Sequence, residues 1–135
     1  GEPMRPLKAI ASGGEIGRVM LAVKAVLAAH DRIPVLVFDE IDANIGGEVG
    51  RAVGQKLRRV AETHQVISIT HLPQSAVYGQ QHYVVFKEVV KGRTKMRIER
   101  LDAQKRVDEI ARMLGGKGLT SVIESHAREL LASAE

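Results

Sequence analysis

The chain has 135 residues, a formal net charge of +4 and no cysteine. That length suits one domain with a real core; the lack of cysteine excludes disulfides and thiolate metal sites and is compatible with a reducing compartment; and no apolar run approaches a membrane span. Aromatics make up only 3%, which argues against a base-stacking platform for single strands, while the mild positive charge favours polyanions without establishing a nucleic-acid surface.

Residues 1–11 contain Pro3 and Pro6 and read as an extended lead-in. Ser12-Gly13-Gly14-Glu15 follows, and serine at an N-cap with glutamate three residues on is a capping box. The spacing of Ile16, Val19, Met20, Val23, Val26 and Leu27 predicts a helix over 15–30 with those residues on one buried face. Glycines weaken a helix start but leave its backbone bare. Free N–H groups and the positive end of the helix dipole there suit an anion. The same four residues equally suit an ordinary capped helix with a glycine-rich entry.

Val35 to Phe38 is a continuous apolar run entered through Pro34. It reads as a parallel strand covered on both faces. The strand ends at Asp39-Glu40, and open α/β sheets bind ligands beyond the carboxyl ends of their strands. One acid can hold a hard cation and the other can orient or deprotonate a water. Strand alternation sends the two in different directions. Taken alone, such a pair is also what a solvated turn contains. A loop over 41–47 carries Asp42, and a helix over 48–63 should bury Val49, Val53, Leu57 and Val60. Its Arg51, Lys56, Arg58 and Arg59 read as a solvated face.

Gln65 to Thr70 is a second strand running into His71, with a short helix from Leu72-Pro73-Gln74. A strand-helix-strand unit of this length implies a parallel pair and a right-handed crossover, so His71 should share a sheet edge with Asp39 and Glu40. Segments 83–90 and 94–101, turned by Lys91-Gly92-Arg93, predict an antiparallel hairpin with one wet face. Its cations either meet an anionic surface or guard an edge. A helix over 104–114 should bury Val107, Ile110, Ala111 and Leu114 and stop at Gly115-Gly116. A last helix over 119–134, framed by Thr120 or Ser121 and Glu124, should bury Val122, Ile123, Ala127, Leu130 and Leu131. The expected fold is α/β: a mainly parallel sheet flanked by helices, with an antiparallel hairpin, in a single domain over 1–135.

The order of these pieces resembles the second half of an ABC-type ATPase head. Ser12-Gly13-Gly14-Glu15 is similar to the signature motif, Val35 to Asp39 to Walker B with Glu40 as its catalytic glutamate, Asp42 to the D-loop aspartate and His71 to the switch histidine. The runs LKAIASGGEIG (7–17), FDEIDANIGG (38–47), ITHLPQ (69–74) and VDEIARMLGG (107–116) resemble the RecN family of bacterial SMC-like proteins of double-strand-break repair. The sequence contains no G-x-x-x-x-G-K-[ST] loop and no sustained heptads.

The resemblance therefore implies the C-terminal lobe of a head, cut from a longer protein that carries the Walker A lobe and a coiled coil. It implies ATP and Mg²⁺ as cofactors, with Asp39 on the metal, Glu40 as base and His71 at the γ-phosphate. Ser12, Gly13, Gly14, Glu15 and Asp42 are implied as nucleotide-site residues, Ser12 and the glycines serving ATP held by a second head. The implied partners are the Walker A lobe of the same head, a second head in an ATP-dependent dimer and DNA through the parent, with no membrane. The implied location is the nucleoid-associated cytoplasm, and the lobe alone should be inactive. Two other readings stay open: a head lobe of another SMC-like ATPase, and a non-enzymatic DNA-binding or interaction module using the basic hairpin.

Overall fold

A computed structural model describes residues 6, 11–27, 33–90, 92–115 and 120–134. The expected helix end near His30-Asp31, the hairpin's Lys91, the stop at Gly116 and the start of the last helix at Leu119 lie outside the described residues. The chain divides into two compact units, Gly1–Tyr78 and Gly79–Glu135.

The first unit runs α1 (Gly13–Leu27), β1 (Val35–Asp39), α2 (Gly47–Val60), β2 (Gln65–Ile69) and α3 (Pro73–Ala76). Strands β1 and β2 pair in parallel, from Val35 opposite Gln65 to Asp39 opposite Ile69. Their core is Leu36 and Phe38 of β1, Leu21 of α1, Ile41 of the following turn, and Val53, Leu57 and Val60 of α2. Burial of each such side chain is worth roughly 1.5–3 kcal/mol.

Helix α2 corrects one expectation. Val49 is exposed, and Gly50 and Gly54 take the inner face beside Val53 and Leu57. The reason is space. A Cβ on Gly50 would lie 2.1 Å from Leu72 Cδ2, and one on Gly54 would lie 2.4 Å from Tyr78 Cδ2. Only a bare backbone lets the segment around α3 lie on α2.

Two further expectations in this unit change. Strand β1 alternates in burial: Leu36 and Phe38 are covered, while Val37 is 63% exposed. Val35, Val37, Ile67 and Ile69 share an open face among the described residues, not a covered one. Helix α1 turns its small side inward: Gly14 and Leu21 are buried, and Gly17 and Ala25 are half-buried. The stripe Ile16, Val19, Met20, Val23, Val26 and Leu27, expected inside, is exposed. Gly17 sits against Ile41, whose Cγ1 would be 3.5 Å from an added Cβ. The tighter approach is at Gly14, where an added Cβ would stand 3.0 Å from the carbonyl oxygen of Glu40.

The second unit runs β3 (Tyr83–Val90), β4 (Arg93–Arg100), α4 (Ala103–Gly115) and α5 (Ser121–Ala132). Strands β3 and β4 are antiparallel, with Val90 opposite Arg93, so β4 begins one residue earlier than the sequence suggests. Gly92 holds a φ of +73°, which glycine adopts without strain in so tight a turn. Among the described residues nothing covers the face expected to be buried: Tyr83, Val85, Val89, Met96 and Ile98, on one side of the ladder, are all exposed.

Helices α4 and α5 pack together, and Val107, Ile110 and Ala111 of α4 and Ala127 of α5 are buried. Leu114, Ile123, Leu130 and Leu131 are half-buried, and Val122 is exposed rather than buried. Thr120 caps α5, its hydroxyl accepting from the Ile123 N–H at 3.4 Å. Asp102 caps α4 by accepting from the Lys105 N–H at 2.9 Å.

Candidate functional site

The parallel register decides where the predicted residues fall. Because Asp39 pairs with Ile69, the carboxyl ends of β1 and β2 lie at one rim. Asp39 and Glu40 leave β1 there, and His71 leaves β2 there two residues beyond Ile69. All three are exposed. Asp39 belongs to the open face of the sheet, with Val35 and Val37. Glu40 ends the strand alternation, because its φ is +51°. A left-handed backbone costs a residue with a Cβ roughly 1–2 kcal/mol. Such strain persists only where neighbours over-determine it. Here the Ala43 N–H closes the turn on the Glu40 carbonyl at 3.0 Å.

The turn after Glu40 is anchored inward. Ile41 is fully buried and Asp42 is 1% exposed. Asp42 Oδ2 accepts from the hydroxyl of Thr70, the residue just before His71. Asp42 Oδ1 is buried and has no hydrogen-bond partner among the described residues, as is Gln74 Oε1. Arg18 of α1 donates from Nη1 to the carbonyls of Ile41 and Ala43, at 3.0 and 3.4 Å.

Helix α1 reaches the same rim with its N-terminus. Ser12 forms the expected capping box: its N–H and hydroxyl both donate to Glu15 Oε2, at 2.7 and 2.8 Å. The Glu15 N–H donates back to Ser12 Oγ at 3.4 Å. The Ser12 backbone N–H, and after it the hydroxyl, holds the Glu15 carboxyl below the usual carboxylate range.

The two glycines differ. A Cβ on Gly14 would stand 3.0 Å from the Glu40 carbonyl oxygen and 3.2 Å from Arg18 Nη1, so the turn's own packing leaves little room for a side chain. A Cβ on Gly13 would meet nothing within 4 Å. Nothing among the described residues requires glycine there, and the position is exposed.

The rim thus gathers the start of α1, the acidic turn and the end of β2. Its chemistry suits a phosphate ligand with a hard cation. Mg²⁺ is usually bound by one or two carboxylates with waters and phosphate oxygens, and Asp39 and Glu40 offer that. No cluster of three ligating side chains exists among the described residues. Arg18 and Thr70 escape sequence reading. Neither belongs to a recognisable spacing, and each acts on the Ile41–Asn44 turn; the one available signal is that Thr70 directly precedes His71.

The basic hairpin offers less. Arg97 pairs with Glu99 at 2.9 Å, and Lys105 pairs with the same carboxylate. Lys105, by its hydrogen bond first and its charge second, holds Glu99 below the usual carboxylate range. Two of the cations nearest that strand are therefore already matched by acid.

No protein-family model matches the chain. Against curated proteins it is 49% identical over 131 residues to the DNA repair protein RecN of Xylella fastidiosa, covering 97% of this chain and 24% of that protein. It is 50% identical over 132 residues to RecN of Deinococcus radiodurans, covering 98% and 23%, and 41% identical over 135 residues to RecN of Bacillus subtilis, covering 100% and 23%. The chain spans about a quarter of the length of these relatives. In fold it is similar to a chain from a structural study of ATP-driven dimerization and DNA-stimulated activation of SMC ATPases. That match has a TM-score of 0.56 and 17% identity, and covers 87% of this chain and 70% of the other. Among the described residues no helix is long and apolar enough to cross a membrane.

Proposed function

The chain is RecN-like over nearly its whole length, and from that premise we propose that it is one lobe of an ATP-hydrolysing, SMC-like head in a protein of DNA double-strand-break repair by recombination. Both compact units belong to that lobe. The observation that carries the reading is the register of β1 on β2, which brings Asp39, Glu40 and His71 to one rim.

In this reading Asp39 would hold the Mg²⁺ of MgATP, and the cation when bound would offset phosphate charge. Glu40 accepts a proton from the water that attacks the γ-phosphorus, and the γ-phosphoryl group leaves the ADP oxygen. His71 donates to the γ-phosphate. Asp42 fixes the turn between the acids and the partner surface. Ser12 and the N–H groups of Gly13 and Gly14 face the γ-phosphate of a nucleotide held by a second head. The Ser12 hydroxyl now given to Glu15 is the donor that would turn toward that phosphate.

A Walker A lobe from the same polypeptide supplies the remaining phosphate cradle. ATP then drives two heads together, DNA engages the whole protein, and the site of action is the nucleoid in the cytoplasm. Phosphoryl transfer depends on positioning and charge neutralisation, so these 135 residues alone turn over little or no ATP.

The test uses the full-length protein. Glu40→Gln should lower the ATPase rate by about 10²–10⁴-fold and accumulate an ATP-bound head dimer, read by single-turnover kinetics and sedimentation. A variant that hydrolyses ATP at the normal rate removes Glu40 from the chemistry.

A further inference from the structure

The turn that carries Glu40 is gripped from two sides by residues with no part in the reading above. From α1, Arg18 Nη1 donates to the carbonyls of Ile41 and Ala43. From the end of β2, the Thr70 hydroxyl donates to Asp42 Oδ2. A hydroxyl has one proton to give and lone pairs left to accept. With its proton on Asp42, Thr70 Oγ1 accepts the Leu72 N–H at 3.0 Å. Hydrogen bonds therefore run from the Leu72 amide through Thr70 to Asp42. His71 lies between Thr70 and Leu72, so the backbone on both sides of the histidine is tied to the turn that begins at Glu40. Glu40 itself sits at a φ of +51°, a conformation its surroundings must impose.

We propose that Thr70 and Arg18 are positioning residues: together they lock the Ile41–Asn44 turn and so hold Glu40 and His71 in a fixed relation for ATP hydrolysis. The inference rests on the ATPase reading. Neither residue touches nucleotide; each acts on the turn. The arrangement also links the helix that opens with Ser12 to the histidine rim, because Arg18 lies one turn beyond Gly14 on α1 and the Gly14 backbone packs on the Glu40 carbonyl. A shift of α1 is passed to Glu40 through Arg18, and from Asp42 to His71 through Thr70.

The experiment measures steady-state ATPase of the full-length protein and its Thr70→Val, Thr70→Ser, Arg18→Met and Glu40→Gln variants. Valine keeps the shape of threonine and removes the hydroxyl, leaving Asp42 Oδ2 and the Leu72 N–H without the partner that Thr70 gives them. Misplacement of reacting groups by an ångström can cost on the order of 10²-fold. Thr70→Val should lower kcat by about tenfold or more with KM for ATP within about threefold. Thr70→Ser, which keeps the hydroxyl, should stay within about threefold of the parent. Arg18→Met should lower kcat without raising KM. The Thr70→Val/Arg18→Met double variant should be little worse than either single one, because both act through one turn.

A Thr70→Val enzyme with parental kcat overturns the inference. So does a Thr70→Ser enzyme as impaired as Thr70→Val, or a loss confined to KM. Should Thr70→Val fail to fold, Arg18→Met decides by the same split: lowered kcat at constant KM supports the lock, and parental kcat overturns it. Glu40→Gln separates the two levels. If it abolishes turnover while Thr70→Val and Arg18→Met do not, only the lock is lost. If it leaves turnover intact, the ATPase reading and the lock fall together.

Discussion

Strand β1 has two sides of the same chemistry and opposite surroundings. Leu36 and Phe38 are buried against α1 and α2, while Val35 and Val37 face outward with Ile67 and Ile69. Helix α1 repeats the contrast, hiding Leu21 and exposing Val19, Met20, Val23 and Leu27. The outer residues are as apolar as the inner ones. A helix apolar on both sides belongs inside a larger body, and a valine- and isoleucine-rich parallel strand ordinarily has both faces covered. The inner sides therefore build the core, and the outer sides have no cover among the described residues.

The largest effect should separate the two sides of β1. Phe38→Ala should cost about 3–5 kcal/mol in urea denaturation of the 135-residue chain, whereas Val37→Asn should change it by no more than about 0.5 kcal/mol. In the full-length protein Val37→Asn should become clearly destabilising. Equal costs in the short chain would break the contrast, and an unchanged Val37→Asn cost in the long one would mean that the outer face has no cover.

A smaller effect sets Gly14 against Gly13. Gly14→Ala drives a Cβ onto the Glu40 carbonyl and should cost about 1–3 kcal/mol. Gly13→Ala meets nothing and should be neutral or stabilising by about 0.4–1 kcal/mol, yet it should weaken ATP-dependent association of full-length heads. A Gly13→Ala protein that associates normally would return that glycine to the ordinary helix cap.

The smallest concerns acid. Glu15 has a folded carboxyl held below its ordinary value of 4.5, so the unfolded chain binds more protons in that window. Its contribution is fully present above the unfolded value and fades as pH falls through the lower folded one. Glu15→Gln should flatten the stability profile of the 135-residue chain in that acid range and leave its shape near neutrality unchanged. An unaltered acid limb would remove the capping box from the stability of α1.

Much of this was legible in the residues. The capping box needs only Ser12 and Glu15 at the right spacing, and an apolar strand running into acids, a helix and a second strand ending in His71 prescribe a parallel pair with a shared rim. The choice of side was not legible. Periodicity in α1 places Ile16, Val19, Met20 and Val23 together without saying what lies opposite them, and the small residues Gly14, Gly17 and Ala25 carry no hydrophobic signal although they make the closer contact. Val49 lost the inner face of α2 to Gly50 for the same reason. In the hairpin, the side bearing Val85 and Ile98 has an apolar pattern and no cover among the described residues. Glu40 gave no warning of its left-handed backbone, since glycine or asparagine usually marks such positions. Arg18 and Thr70 act on backbone and side-chain oxygens brought close only by the fold.

The ladder between β1 and β2 bears on how such a rim can vary. Asp39 stands opposite Ile69, so the offset between acid and histidine is measured along strand backbone, independently of the length of the connecting helix. Residues added to the crossover would leave that offset untouched. One residue added inside either strand would displace the rim by about 3.3 Å and turn every later side chain to the opposite face. Natural variation in length should therefore gather in the connection and spare the two strands.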